Sequence, residues 1–174
     1  DGMPARQIRA QYDDRVIRVY QAYSDAIADS ALERQTFVAP PFKMERMTWI
    51  KPSFLWMMYR SGWGEKEESQ KRILAIDIRR EGFEWALTHG CDSRAEPGMD
   101  AAAWEQLKAR SPVRIQWDPE RDLLLHASFD AAWRSRVMSV SMKPGATTFT
   151  VTPRDPISFA SDLLKAMMPA LAAA

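Results

Sequence analysis

The sequence predicts an α+β fold, a single domain over residues 1–174 with helices packed on a mixed, mostly antiparallel sheet. Strand-like and helix-like segments are interspersed along the chain, which favours this class. Two late pairs of strand-like segments are separated by turn sequences, as in antiparallel hairpins. No repeat or linker marks a second domain, and 174 residues is an ordinary size for one.

The first strand and helix follow from local patterns. β-Branched and aromatic residues predict a strand over 15–23, with Ile17, Val19, Gln21 and Tyr23 on one face. Ser24 fits an N-cap, and apolar residues at helical spacing predict a helix that ends near residue 34. The proline pair at 40–41 then predicts a loop.

The segment 49–63, Trp-Ile-Lys-Pro-Ser-Phe-Leu-Trp-Met-Met-Tyr-Arg-Ser-Gly-Trp, is the most unusual in the chain. Pro52 fits the first position of a helix and directs Lys51 towards extended backbone. Gly62 fits the left-handed residue that ends a helix. The helix predicted over 53–60 is apolar on nearly every side, so we expect it to be buried. The polar run 64–71 predicts a solvated loop.

The remaining elements are predicted in the same way. Helices are expected at 81–88, ended by Gly90, after an N-cap at Asp100, and at 157–172. Strands are expected at 72–78, 113–117, 123–127, 136–142 and 147–152. Turns are expected at 118–121 and 143–146, each with a proline at its second position.

Composition excludes several classes of protein. Lys+Arg is 24 and Asp+Glu is 23, a net charge of +1, which excludes a polybasic nucleic-acid tail and an acidic disordered activator. One cysteine, Cys91, and two histidines leave little for a metal centre, so no metal is expected. No apolar run approaches the roughly 20 residues that span a bilayer. We therefore expect a cytoplasmic protein with no membrane partner.

Tryptophan and arginine are the informative residues. The chain has seven Trp, and its positive charge comes mostly from arginine. Arginine binds phosphates and stacks on aromatic rings, so the combination fits a pocket for a flat or phosphorylated ligand. The alternative is a Trp-rich core with arginines on a solvated surface. Composition leaves both open.

The 49–63 segment, Ile17–Tyr23 and 116–122 (Gln-Trp-Asp-Pro-Glu-Arg-Asp) together resemble the domain-of-unknown-function 4291 family. The resemblance covers about residues 9–122, and the chain from 127 onwards is expected to diverge. This resemblance implies a relationship but no activity. The first strand and helix also resemble, with less specificity, the opening unit of ADP-ribosyltransferase-like domains. There a polar residue on the strand contacts a ribose of NAD, and Gln21 has that position here.

The second resemblance implies a set of site residues. Breaking the glycosidic bond of NAD needs a dry pocket, an aromatic wall, phosphate donors and one oriented carboxylate. Gln21, Tyr23 and Glu120 are the expected catalytic residues. Glu120 falls in a predicted turn and Glu84 on a predicted helix, so Asp122, at the start of a predicted strand, is the alternative carboxylate. Residues expected to bind NAD by stacking, phosphate binding or ribose binding are Arg18, Tyr20, Lys51, Ser53, Trp56, Tyr59 and Arg60.

Each candidate also has a structural interpretation. Trp56 fits core packing, Lys51 and Ser53 fit a helix start, and the 118–121 turn fits a solvated surface. Arg60 must reach water or bind a partner, because it follows an apolar helix.

The sequence therefore predicts a nucleotide-handling enzyme of the NAD-dependent ADP-ribosyltransferase-like type, with a small nucleotide as ligand. The alternative is a non-catalytic module in which a Trp/Arg-lined pocket binds a nucleotide, nucleic acid or protein. Nucleic acid as a partner is not favoured by the net charge of +1. The sequence gives no oligomeric state.

Overall fold

The computed structural model describes residues 6, 8–37, 40–43, 45, 47–122, 124, 126–127, 136–142 and 152–154. In this part of the chain the fold is α+β, as predicted. The strands are β1 (Val16–Tyr23), β2 (Thr48–Ile50), β3 (Arg72–Arg79), β4 (Gly90–Asp92), β5 (Val113–Pro119), β6 (Arg136–Met142) and β7 (Thr152–Arg154). The helices are α1 (Asp25–Arg34), α2 (Phe54–Ser61), α3 (Arg80–Thr88) and α4 (Ala101–Arg110), with a 3₁₀ turn at Glu68–Gln70. The predicted C-terminal helix and the 143–146 turn lie outside the described residues.

The described strands form two sheets instead of the single sheet predicted. One has the order β1-β3-β7 and is antiparallel, and the other has the order β2-β6-β5-β4, with β4 and β5 parallel. Most of the second strand of the predicted hairpin, 147–151, lies outside the described residues. Among the described strands, β6 pairs with β2 and β5, whereas β7 pairs with β3. A turn sequence sets only the local chain direction, and long-range burial selects the pairing partner.

Strand β5 also differs from its prediction. It continues through Pro119, so Asp118 lies on a strand and not in a turn. The strand predicted at 123–127 is replaced, in its described residues, by a turn at Leu124 and an isolated bridge between Arg121 and Ala127.

The first sheet is covered on both faces. Side chains of one face pack with α1, α3 and β5, and include Val19, Leu74 and Ile76. Tyr20 and Ala75 lie on the other face and pack against Met57 and Met58 of α2. The continuous apolar run of β3 is typical of a strand that is buried on both sides.

Helix α2 is only partly buried, although the sequence predicted a helix buried on nearly every side. Met57 and Met58 are buried, but Tyr59 and Arg60 are exposed. A helix packed on the outer face of a sheet keeps one side in water. Pro52 also precedes the N-cap, Ser53, so it is not the first helical residue. Gly62 ends the helix with φ 57°, as predicted.

Helix α4 gives a first testable prediction. The side chain of Asp100 accepts a hydrogen bond from the backbone N–H of Ala103 at 3.0 Å. The Asp100→Ala variant should lose about 1 kcal/mol of unfolding free energy, measured by urea denaturation. Ser24 is the matched control, because it caps α1 without a side-chain hydrogen bond. An equal loss in Ser24→Ala would contradict a role for the Asp100 hydrogen bond.

Candidate functional site

The two sheets meet where the chain leaves β2. The backbone N–H of Tyr20 donates to the carbonyl oxygen of Lys51 at 2.7 Å. In return, the backbone N–H of Lys51 donates to the carbonyl oxygen of Tyr20 at 3.0 Å. The proline after Lys51 favours the extended backbone that this pairing needs. The backbone of Lys51 is therefore fixed against the edge of the first sheet.

The side chain of Lys51 is buried between α2 and β5. Lys51 is 0% exposed, and its Nζ lies 2.5 Å from Oδ2 of Asp118. The same ammonium lies 3.7 Å from the centroid of the Trp56 ring, a cation–π contact. Burial lowers the pKa of Lys51 to about 8, although the hydrogen bond that Lys51 donates to Asp118 opposes the shift.

Asp118 connects Lys51 to Gln116, which lies with Asp118 on β5. Its Oδ1 accepts a hydrogen bond from Nε2 of Gln116 at 2.8 Å, while Oδ2 faces Lys51. Residues two apart on a strand share a face, so Gln116 and Asp118 lie side by side. The buried ammonium thus holds the carboxylate, and the carboxylate holds the amide.

A second set of contacts joins the beginning of α2 to the end of β5. The hydroxyl of Ser53 donates to Oε1 of Glu120 at 2.6 Å and accepts from the N–H of Trp56 at 3.2 Å, which caps the helix. Glu120 also accepts from the N–H of Arg121 at 2.9 Å. The guanidinium of Arg121 lies 3.5 Å from the ring centroid of Tyr59. Ser53, Glu120 and Tyr59 therefore belong to one cluster beside Lys51.

A cleft of about 490 Å³ lies at this junction. Its volume is in the range of small-molecule sites. Five of its lining residues were predicted as site residues: Gln21, Tyr23, Lys51, Trp56 and Arg60. The other lining residues are Ala22, Ser24, Ile27, Trp49, Ile50, Met57, Ser69, Gln70 and Gln116.

Arg60 is the cationic side chain of the cleft that remains open to solvent. It is exposed, and it forms no ion pair with any described residue. Trp49, which is 36% exposed, lines the same cleft. The cleft therefore combines an accessible guanidinium with aromatic rings.

The structure does not bring Arg18 and Tyr20 into the cleft. The guanidinium of Arg18 makes two hydrogen bonds to Asp77, at 2.7 and 2.8 Å, and these join β1 to β3. Tyr20 packs against Phe54 with ring centroids 5.2 Å apart, and burial raises its pKa to about 12. The sequence predicted that Arg18 and Tyr20 contact a ligand, whereas in the structure they contact Asp77 and Phe54.

A comparison of the sequence with known protein families shows to which family the chain is related. The profile of the family described as Domain of unknown function (DUF4291) matches residues 7–143. The chain belongs to this family. The match extends at both ends beyond the 9–122 segment on which the sequence resemblance rests, and it contains every residue that lines the cleft.

Among curated proteins and solved structures, neither comparison gives a significant match. The ADP-ribosyltransferase-like fold thus stays a prediction for this DUF4291 chain. In the described residues, no helix has the length and apolar character needed to cross a membrane. The same residues contain no group of three or more His, Cys, Asp or Glu side chains that could hold a metal ion.

The residues that the sequence did not assign to this site include Trp49, Gln70, Gln116 and Asp118. The polar residues at 116 and 118 alternate with Ile115 and Trp117, which is a strand pattern. That alternation could have extended β5 and placed both polar side chains on one face. Gln70 had no such pattern, because it lies in a 3₁₀ turn within a polar run.

Proposed function

We propose that the cleft of this DUF4291 protein binds a small nucleotide. One observation carries the proposal: Arg60, which is exposed, lines the same cleft as Trp49 and Trp56. A nucleotide combines an anionic phosphate with a flat ring, and these groups match arginine and tryptophan respectively. The Lys51 ammonium covers one face of the Trp56 ring, so stacking of a ligand ring on Trp56 would need the opposite face.

The proposal is restricted to binding. Transfer of ADP-ribose would need an oriented carboxylate beside the sugar. None of the described residues that line the cleft is Asp or Glu, and Glu120 is held by Ser53 and the backbone of Arg121. NAD is therefore one of the nucleotides to be tested, and release of nicotinamide is the assay that would extend the proposal to catalysis.

The experiment measures binding of NAD, ADP-ribose, ADP and ATP by calorimetry, with thermal shift as a second method. A ligand at one hundred times its Kd stabilises the folded state by about 2.7 kcal/mol. We expect at least one of the four to bind and to raise the melting temperature. Absence of binding by all four would overturn the proposal.

Replacing Arg60 tests the part of the proposal that concerns phosphate. The Arg60→Gln variant should raise the Kd of the bound nucleotide about tenfold, because a hydrogen bond between charged groups contributes about 1.5–3 kcal/mol. The melting temperature without ligand should stay near that of the wild type, since Arg60 is exposed. Arg110→Gln is the matched control, because Arg110 is exposed at the end of α4, away from the cleft. An equal Kd in Arg60→Gln and Arg110→Gln would exclude Arg60 as the phosphate ligand.

A further inference from the structure

A second cavity adjoins the cleft at strand β5. It has a volume of about 250 Å³, and the described residues that line it are Arg6, the segment 92–97 and residues 115–118 of β5. Gln116 lines both this cavity and the cleft, so the two spaces meet at that residue. A complete small-molecule site usually has about 300–1,000 Å³. The second space, the edge cavity, is therefore suited to one part of a ligand that begins in the cleft.

The edge cavity lies beside the part of β5 that β4 does not reach. Strand β4 pairs with residues 113–115 of β5, and its last pair is Asp92 with Ile115. On the opposite edge of β5, pairing with β6 continues as far as Pro119. Among the described strands, residues 116–118 therefore have a partner on one edge only.

The backbone of Trp117 faces the edge that β4 leaves open. The N–H of Ser93 donates to the carbonyl oxygen of Ile115 at 2.7 Å, so the backbone groups of Ile115 point towards β4. Backbone groups alternate between the two edges of a strand, and residues two apart therefore face the same edge. The N–H and the carbonyl oxygen of Trp117 thus point out of the open edge, where Trp117 lines the edge cavity. They present one donor beside one acceptor.

A donor beside an acceptor matches the edge of a nucleobase, which carries hydrogen-bonding groups of both kinds. The charges that line the edge cavity are of both signs, since they include Asp92 and Glu96 as well as Arg6 and Arg94. Such a lining favours an uncharged nucleoside over a further phosphate. In the cleft, by contrast, none of the described lining residues is acidic, and Arg60 is exposed there.

We infer that the cleft and the edge cavity together bind a dinucleotide, two nucleosides joined through phosphate. This inference rests on the proposed function. The first nucleotide occupies the cleft with its phosphate at Arg60. The second nucleoside passes Gln116 into the edge cavity, where its base bonds to the N–H and the carbonyl oxygen of Trp117. Two linkages have this chemistry, a 3′,5′-phosphodiester and a 5′,5′-diphosphate.

The test uses ligands that differ only in the second nucleoside. Adenylyl-3′,5′-adenosine is compared with the methyl ester of AMP, and diadenosine 5′,5′-diphosphate with the terminal methyl ester of ADP, so the charge is equal within each pair. Calorimetry should give at least one dinucleotide a Kd about tenfold lower than that of its methyl ester. The pair that shows the difference identifies the linkage. Equal Kd values within both pairs would overturn the inference and leave nucleotide binding standing, whereas failure of these four ligands and of ADP to bind would overturn both.

A variant that fills the edge cavity tests where the second nucleoside lies. Ala95 is exposed and lines the edge cavity but not the cleft. Ala95→Trp should bring the Kd of the dinucleotide close to that of its methyl ester and leave the Kd of the methyl ester at the wild-type value. Ala102→Trp is the control, because Ala102 is exposed on α4 and lines neither space. An unchanged ratio of the two Kd values in Ala95→Trp would exclude the edge cavity as the second site.

Discussion

The Asp118→Leu variant is expected to lose about 3 kcal/mol of unfolding free energy at neutral pH. The substitution leaves the Lys51 ammonium, which is 0% exposed, without the carboxylate 2.5 Å away. Removing one partner of a buried ion pair typically costs about 3–5 kcal/mol. We take the lower end because the side chain of Asp118 is itself 17% exposed. Urea denaturation monitored by tryptophan fluorescence measures the loss.

Two further variants make this result interpretable. Asp29→Leu breaks an ion pair with Arg72 in which the Asp29 side chain is 68% exposed, and it should cost no more than about 1 kcal/mol. The double variant Lys51→Met/Asp118→Leu also removes the buried charge that has lost its carboxylate, so it should be more stable than Asp118→Leu. A loss in Asp118→Leu no larger than that in Asp29→Leu would show that the buried pair contributes no more than a surface pair.

Local sequence patterns predict those parts of the site whose backbone structure is set by residues nearby in the sequence. Alternation predicts β1, and the glycine at 62 predicts the end of α2. The extended backbone at Lys51 follows from the proline beside it. These features need only a short window of sequence, and the structure confirms each of them.

The contacts that assemble the site have no such local origin. Lys51 and Asp118 are separated by 67 residues, and so are Ser53 and Glu120. A turn interpretation of 118–121 places both acidic residues in water, whereas β5 brings Asp118 into contact with the buried Lys51 ammonium. Pairing of β5 with β6 continues to Pro119 and extends the strand, and that pairing depends on packing far from the turn.

The sequence does not show which cation of the site, Lys51 or Arg60, is buried and which is exposed. Lys51 and Arg60 both lie beside apolar residues, yet Lys51 is fully buried and Arg60 is exposed. Arg60 is exposed because α2 packs with Met57 and Met58 inward, which leaves Arg60 at the cleft and in solvent. A single helix therefore supplies the ring that covers Lys51 and the guanidinium proposed to bind phosphate.

Stability of the wild type is expected to rise by about 2 kcal/mol between pH 8 and pH 10. Burial lowers the pKa of Lys51 to about 8, from 10.5 in the unfolded chain, while Asp118 and Glu120 oppose this shift and Arg121 adds to it. Between these values the unfolded chain binds more protons than the folded one, so the free energy of unfolding increases with pH. Below pH 8 both states are protonated at Lys51, and the cost of the buried charge is fully present.

Tyr20 sets the upper limit of this increase. Burial raises its pKa to about 12, from 10.0 when unfolded, so above pH 10 the unfolded chain loses the tyrosine proton first and stability falls. Denaturation curves from about pH 7 to about pH 11 test the rise and the fall, with Lys51→Met/Asp118→Leu as the reference that cannot titrate at residue 51. The rise should be absent from that variant, whereas Tyr20→Phe should keep it and lose the Tyr20 contribution to the fall above pH 10. A rise of equal size in the wild type and the double variant would assign it to groups other than Lys51.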